Sequence, residues 1–568
     1  MNITQSPRSE TIEAIVDTRY DDPFDKHNYN CSAEVFKSMK KLRLLQVRNR
    51  FTLREPTYFP EQLKWLSWFS YPFQTLRLTS MTKLVGLEIS RSHIIQLQIE
   101  KKVVLSNLKS IDLFGLNELR MFPDVVGVPN LERLKLTWCS QFVEIHHSVF
   151  LHEKIIHLDL SHCIRLRMLP SCIQMASLQT LHLKGCKSLE RFPEVSMEMR
   201  RLLVLNMYGC DLIYQLPSSI RLLSGLIVLA MGRHCVVRSN FLSMPSNKLC
   251  MQGFTHLRSL KVLDLEENHL VDEDFPGDHH NVWPSLEEFE CINIKELDEL
   301  PPRIQVLKAD HCRSLQKTGD LSNRYKWLYK ISLHYCPKLD EDHETSRHIS
   351  SLLLKSYVQK CAAMNHRLSI TVPCRTIPSW FTNQRVGDLI ALSIPQHQIS
   401  EMLGLAICCN LHPPTAEFSR FIVMYFSAGR GRKLLYGTKN PLYWDKYHLV
   451  GSAFQEKKQY FDFADHVWLG YISVDFFRNL CHGLDYEDII INIRSVPPVS
   501  ECGVCVIYKD GIKPIKEIDS WVPDYDELEW MDRDNAISEN LKHAYGASSI
   551  TMGSTSATPL FAIHTIVP

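Results

Sequence analysis

The stretches IIHLDLSHCIRLRMLP at Ile155–Pro170, LQTLHLKGCKSLERFP at Leu178–Pro193 and LLVLNMYGCDLIYQLP at Leu202–Pro217 are three copies of one pattern. Each reads L-x-x-L-x-L-x-x-C-x-x-L-x-x-Φ-P, where Φ is apolar. The L-x-L stretch alternates, which predicts a short strand with its leucines inward and the intervening residues outward. A unit of this length is one supersecondary element that cannot bury its apolar face alone, so it is stable only when stacked on neighbours.

Aligned on the first leucine-type position, the units start at Leu42, Leu63, Leu84, Leu108, Leu131, Ile155, Leu178, Leu202, Leu226, Leu260, Leu286, Ile304 and Leu328, about 13 in all. From Leu84 to Leu226 the steps are 24, 23, 24, 23, 24 and 24 residues, a regularity that chance does not produce. This is the leucine-rich-repeat pattern. It predicts an α/β solenoid, or horseshoe, over residues 41–341, whose outward strand positions line a concave wall suited to holding another molecule. The step of 34 from Leu226 to Leu260 places an insertion around GRHCVVRSNFLSMPSNKLCMQGF, and the step of 18 before Ile304 needs a tight turn, supplied by Pro301 and Pro302.

With 568 residues, 45% of them hydrophobic and 22% charged, the chain has material for a large core and more than one domain. A net charge of +1 gives no electrostatic case for nucleic acid or an anionic membrane as partner. The start, MNITQSPRSETIEAIVD, lacks the apolar core of a signal peptide, and the most apolar stretch, MLGLAICCNL from Met402, is too short to span a bilayer.

Eighteen cysteines raise the question of disulfides or zinc. Cys139, Cys163, Cys186, Cys210, Cys312 and Cys336 all fall in the pattern's cysteine slot, which Asn268 fills in the unit from Leu260. A small polar side chain there satisfies backbone groups where the chain leaves the strand. Parallel side chains on stacked strands do not favour bridging, so these read as free thiols in a reducing compartment, and a cytoplasmic or nuclear location is expected. Cys502 and Cys505 form an isolated C-x-x-C read as packing, because no second ligand pair accompanies them. No metal, cofactor or catalytic residue is expected.

After Leu339 the period stops. Ile349, Leu352, Leu353, Tyr357 and Cys361 make a helical stripe, expected as a cap or linker over residues 342–367. LSITVP, DLIALSIP, LGLAICCNL, RFIVMYF, HVWLGYISVDFF, IIINIRSV and GVCVIYKD then read as strands of an all-β sandwich over residues 368–510. The polar, Ser/Thr-rich remainder, 511–568, is expected to be a loosely ordered tail.

The segment TVPCRTIPSWFTNQRVGDLIALSIP, from Thr371, resembles the opening of the C-JID or post-LRR domain of plant TIR-type nucleotide-binding leucine-rich-repeat (TIR-NBS-LRR) disease resistance proteins, which carries a P-G-x-x-I-P-x-W-F motif. LGLAICCNL, DHVWLGYIS and ECGVCVIYKD are similar to later strands of that jelly-roll-like domain. IEAIVDT at Ile12 and AEVFKSMKKLRLLQV at Ala33 are similar to the segment leading from the family's nucleotide-binding module into its first repeat, so residues 1–40 are expected to be a remnant of that linker. Cys374 departs from the motif's glycine, whereas Ile377, Pro378, Trp380 and Phe381 keep its core. There is no G-x-x-x-x-G-K-[ST] loop, so the family's nucleotide switch and TIR chemistry are not expected in this chain. The resemblance implies the recognition part of an immune receptor. Its partner would be a pathogen effector or a guarded host protein, and in a full-length receptor its NB-ARC and TIR modules.

Outward positions carry Arg133, Lys135, His157, His182 and Lys184 on earlier units, and Asp264, Glu266, Glu267, Glu288 and Glu290 on later ones. Such a charge gradient would orient a partner with opposite charge at its two ends. The plainer reading is that solvated strand faces are charged. Trp138 and Tyr208 lie near the same strip and suit interface anchors, and Trp380 and Phe381 line either a partner groove or the sandwich core, with the core favoured. Two other classes stay open. One is a generic repeat scaffold or adaptor, and the other is a thiol enzyme using Cys481, His482 and Asp485.

Overall fold

The computed structural model describes residues 11–16, 29–30, 36, 39–233, 249–265, 268, 270, 282–339, 345–411, 421–446, 466–475 and 488–517, with short gaps inside several of these stretches. The chain divides into two compact units, Met1–Leu353 with Ile370–Pro373, and Leu354–Ser369 with Cys374–Pro568.

In the first unit each predicted repeat contributes one strand to a parallel sheet, from Leu44–Val47 to Lys330–Ser332. Consecutive strands pair in parallel and in register, so that Leu134, Leu158, Leu181, Leu205, Leu229 and Leu263 form one inward row. All six are fully buried. Each such side chain removed from water stabilises the stack by about 1.5–3 kcal/mol before the entropy of ordering is charged against it. The strand Ala14–Val16 pairs with Leu44–Gln46 ahead of the first predicted repeat. IEAIVDT lacks the spaced leucines, and the sequence pattern therefore stopped one strand short. The thiol, metal and insertion readings at Cys481, His482, Asp485, most of 232–254, and the tail beyond 517 fall outside the described residues.

Two corners per repeat make the stack possible. Where the chain enters a strand, the N–H of the unit's first leucine donates to the carbonyl three residues back: Leu131 to Val128 at 3.3 Å, Leu178 to Met175 at 3.1 Å, Leu202 to Met199 at 3.2 Å. Where it leaves, Ser70, Arg91, Gly115, Trp138, His162, Gly185 and Gly209 occupy equivalent places, and all have φ between 48° and 73°. Their N–H groups carry the ladder one step past the strands: Gly115 donates to Thr137, Trp138 to Ser161, His162 to Lys184 and Gly185 to Tyr208, at 2.6–2.9 Å.

The next residue is the cysteine slot. Cys163 Sγ donates to the Leu136 carbonyl at 3.0 Å, Cys186 to Leu160 at 3.2 Å, Cys210 to Leu183 at 3.1 Å and Cys336 to Ala309 at 3.1 Å. Asn268 does the same work with Nδ2, 2.8 Å from the Met231 carbonyl. Each thiol thus satisfies the last apolar strand residue of the preceding repeat, a buried carbonyl that would otherwise be costly. Burial pushes Cys186 well up, Cys210 up to about 12 and Cys336 up as well, so at neutral pH each keeps the S–H that donates. The cysteines of this slot are free.

In the second unit six of the seven predicted strands appear within two antiparallel arrangements, while the seventh, Leu368–Pro373, is divided between the two units. One pairs Asn383–Val386, Val499–Tyr508, Met402–Leu411 and His466–Ser473. The other joins Leu389–Ser393, Asp488–Val496, Phe421–Arg430, Lys433–Gly437 and Leu442–Lys446. Asn383–Val386, Lys433–Gly437 and Leu442–Lys446 were not legible, because their polar or short runs lack strand alternation. Cys502 and Cys505 sit fully buried in the strand Val499–Tyr508. The helix expected after the repeats runs Thr345–Ala363, and its residues Tyr357, Val358 and Cys361 are buried within the second unit. Gly470 lies where any Cβ would run into the Trp468 ring.

Cys163→Val keeps the bulk and removes the donor. It is expected to lower stability to urea by about 1–3 kcal/mol, the cost of leaving a buried carbonyl unpaired, and Cys163→Ser is expected to lose less.

Candidate interaction surface

The outer face of the parallel sheet is built by register. Arg133 stands beside His157 and His157 beside Thr180, while Lys135 stands between Asp112 and Asp159, and Asp159 beside His182. Neighbouring strands are about 4.8 Å apart, so Arg133, Lys135, His157 and His182 come together in one patch. Arg133, Lys135 and Trp138 are exposed, whereas His157, His182, Lys184 and Tyr208 are half-buried.

Carboxylates that the charge reading passed over belong to the same patch. Asp112 lies 3.8 Å from Lys135 Nζ, and burial pushes its carboxyl up against the pull of Lys135, with Glu88 and Asp159 adding to the rise. Asp159 Oδ1 accepts the Ser161 N–H at 2.9 Å. Asp112 and Asp159 occupy the x position of L-x-L, where the pattern itself points to them. His157 Nδ1 is 2.8 Å from Thr180 Oγ1.

The acidic end of the expected gradient is corrected by the structure. Lys308 Nζ lies 3.1 Å from Glu288 and 2.9 Å from Glu290. Burial alone would push the Lys308 ammonium down, but the two carboxylates override it and hold the group well above its usual value. A cation between the two glutamates cancels most of the field that a partner would feel. Lys308 was missed because its unit starts at the short step before Ile304, and only register shows which strands flank it. Asp264 stands beside Ala230 and Glu290, away from the Arg133 patch, and Glu266 and Glu267 lie outside the described residues.

The aromatic candidates divide three ways. Trp138, 54% exposed, stacks on His162 with ring centres 4.0 Å apart and planes 16° apart. Both residues occupy the left-handed corner, which costs a residue with a Cβ roughly 1–2 kcal/mol and which neighbouring repeats fill with Gly115, Gly185 and Gly209. A Cβ added at Gly185 would lie 2.7 Å from His162 Nδ1, so the next repeat must yield space to the stack. Tyr208 holds Lys184 Nζ 5.4 Å from its ring centre, a cation–π contact. Phe381 is 2% exposed and packs near Gly503 in the second unit, which removes it from any partner groove, while Trp380 is half-buried and tilted against it at 4.2 Å. No helix among the described residues is long and apolar enough to cross a membrane.

A sheet of stacked parallel strands with repeated corners defines a leucine-rich-repeat protein. Residues 372–513 match the C-JID domain family. TMV resistance protein N of Nicotiana glutinosa is 34% identical over 133 residues, covering 23% of this chain and 12% of that protein. Disease resistance-like protein DSC1 of Arabidopsis thaliana is 25% identical over 333 residues, covering 50% of this chain and 24% of that protein. The chain therefore spans a quarter or less of the length of these curated relatives. Among solved structures, the leucine-rich repeat domain of a type III effector is similar over 37% of this chain and 72% of that chain, at 18% identity and a TM-score of 0.28, too low to carry an argument. In its C-JID domain and its resistance-protein relatives, this chain is similar to the C-terminal region of plant TIR-type nucleotide-binding leucine-rich-repeat disease resistance proteins.

Two predictions test this surface. Lys308→Met would leave Glu288 and Glu290 facing each other and is expected to cost about 1–3 kcal/mol in urea unfolding, less than a fully buried pair because the lysine side chain keeps 25% exposure. Adding Glu290→Gln is expected to restore most of that loss. The second concerns the histidines. Burial first, then Arg133, His182 and Lys135, hold His157 below its usual value, and burial also lowers His182. The unfolded chain then takes up these protons more readily, so stability is full above about pH 6.5 and falls as pH drops below it. His182→Gln is expected to flatten part of that loss in thermal melts between about pH 7 and 5.

Proposed function

We propose that this chain is the recognition region of an intracellular plant immune receptor, and that it binds a pathogen effector or a guarded host protein without catalysing a reaction. One observation carries the proposal: solvent-exposed Arg133 and Lys135 project from one strand of a rigid repeat sheet and solvent-exposed Trp138 from the corner that follows it, in a chain that also bears a C-JID domain. Rigid strands hold such groups at fixed separations, which lowers the cost of ordering them when a partner arrives. In this reading the two antiparallel sheets of the C-JID domain stack as a jelly-roll-like sandwich and add a second contact surface. The free thiols of the cysteine ladder fit a cytoplasmic or nuclear location, where such groups stay reduced. In a full-length receptor, NB-ARC and TIR modules would convert the contact into a signal.

The test is display selection of secreted pathogen proteins and of host proteins against the purified chain. A specific binder is expected, recovered intact, and its retention is expected to fall at least tenfold with Arg133→Glu combined with Lys135→Glu while the circular dichroism spectrum stays unchanged. Unchanged retention by that variant would refute the role of the sheet face, and processing of the bound protein would refute the non-catalytic reading.

A further inference from the structure

Two outward rows of the parallel sheet carry charge along much of its length. The residue after each unit's leading leucine is Lys109, Glu132, Lys261 or Glu287 in four of the units, and Ile156 in this row stands between Glu132 and Gln179. The row beside it, joined strand to strand by register, holds Arg133, His157, Glu288 and Lys330. The repeat therefore accepts charge at both places. The units from Leu202, Leu226 and Leu260 nevertheless put Leu203 and Ile227 in the first row and Val204, Val228 and Val262 in the second. Val204 stands beside Val228 and Val228 beside Val262, and the Ile227 N–H donates to the Leu203 carbonyl at 2.8 Å. Leu203 is 37% exposed and the other four are half-buried. The core does not call for them, since Leu205, Leu229 and Leu263 fill it from the same strands and are fully buried. A contiguous apolar strip where the fold tolerates charge points to a docking surface.

The surroundings of the strip set the chemistry of its occupant. Gln179 and Thr180 bound it on one side; on the other, Lys261 Nζ lies 3.1 Å from Glu287 and Lys308 Nζ lies 3.1 Å from Glu288. These bounding charges are matched within the chain, so a charged residue laid on the valines would lose water and gain no partner. The occupant is therefore apolar where it lies on the strip. Spacing then selects its conformation. Val204, Val228 and Val262 stand on adjacent strands about 4.8 Å apart, so the row is about 9.6 Å long. On an α-helix, residues i, i+4 and i+7 share one face and span about 10.5 Å, which fits the row. In an extended segment, residues i, i+2 and i+4 span about 13 Å and overshoot it. We propose that Leu203, Val204, Ile227, Val228 and Val262 form a docking strip for one amphipathic helix of a partner protein, laid across the strands with apolar residues at i, i+4 and i+7 on the three valines. Leu203 and Ile227 widen the strip to meet an apolar residue at i+3. The inference rests on the recognition reading above and places a second contact on repeats that reading does not use.

Three fluorescein-labelled peptides of about 18 residues, long enough to form a helix, titrated against the full chain by fluorescence anisotropy, test the proposal. The first carries leucines at i, i+4, i+7 and i+11 among Ala, Glu and Lys, the second has the same composition with its leucines spread around the helix, and the third alternates leucine with threonine, glutamate and lysine so as to favour an extended form. The striped helix is expected to bind at least tenfold tighter than either of the others. Ile227→Lys combined with Val228→Arg is expected to remove that preference with an unchanged circular dichroism spectrum, since Lys261 and Arg133 already occupy those rows. The milder Val204→Thr, which copies Thr180 on the neighbouring strand, is expected to weaken the striped peptide at least threefold. Absence of binding, equal binding of the striped and spread peptides, or tighter binding of the alternating one overturns the proposal. So does unchanged affinity for the striped peptide in the folded variants. If the proposal is overturned while a selected protein is still held in a manner sensitive to Arg133 and Lys135, the helix strip fails and the recognition reading stands.

Discussion

Everything in the first unit depends on how the chain leaves each strand. A parallel sheet with one strand per repeat forces a sharp turn at every exit, and that turn exposes a buried carbonyl to the loss of its hydrogen bond. The solution is repeated: a residue in the left-handed region passes its N–H to the next repeat, and the following thiol donates back to the preceding one. Each corner is therefore bonded to both neighbours. Removal of one disturbs two interfaces, which is how a quasi-one-dimensional stack couples its units.

The same corner controls what the outer face presents. Where it is glycine, no side chain stands there, and where it is Trp138 or His162 the backbone tolerates strain and gains an exposed ring pair. The flanking strand positions then decide the electrostatics. Lys135 is offset by Asp112 and Asp159 on adjacent strands, and Glu288 and Glu290 are bridged by Lys308. Among the described residues the face is thus a mosaic of locally compensated charges, not a gradient from one end to the other. Nearest neighbours across strands dominate because they lie within about 5 Å, inside the screening length of about 8–10 Å in physiological salt.

Most of the repeat architecture was legible in the residues. The spacing of Leu84 to Leu226 places every strand of the main parallel sheet in that stretch, the cysteine slot marks the corner, and alternation separates Arg133 and Lys135 from Leu134 and Leu136. Legibility ended where the pattern lacked its markers. Ala14–Val16 joins the sheet without spaced leucines, and Asn383–Val386 pairs with Val499–Tyr508 although its residues are polar. For the site, residue type suggested Phe381 as readily as Trp380, and burial separates them.

By itself, the sequence determined the period, the inward leucines and the free-thiol corner, since these follow from local spacing and from what one buried face demands of its next neighbour. Tertiary structure decided which charges meet and which cancel, which aromatic ring is open to solvent, and that Ser70, Arg91, Trp138 and His162 hold a left-handed corner that other repeats fill with glycine. The physical reason is that register joins residues more than twenty positions apart in the chain. Charge pairing, stacking and exposure are all short-range in space, so they exist only once the strands are laid side by side.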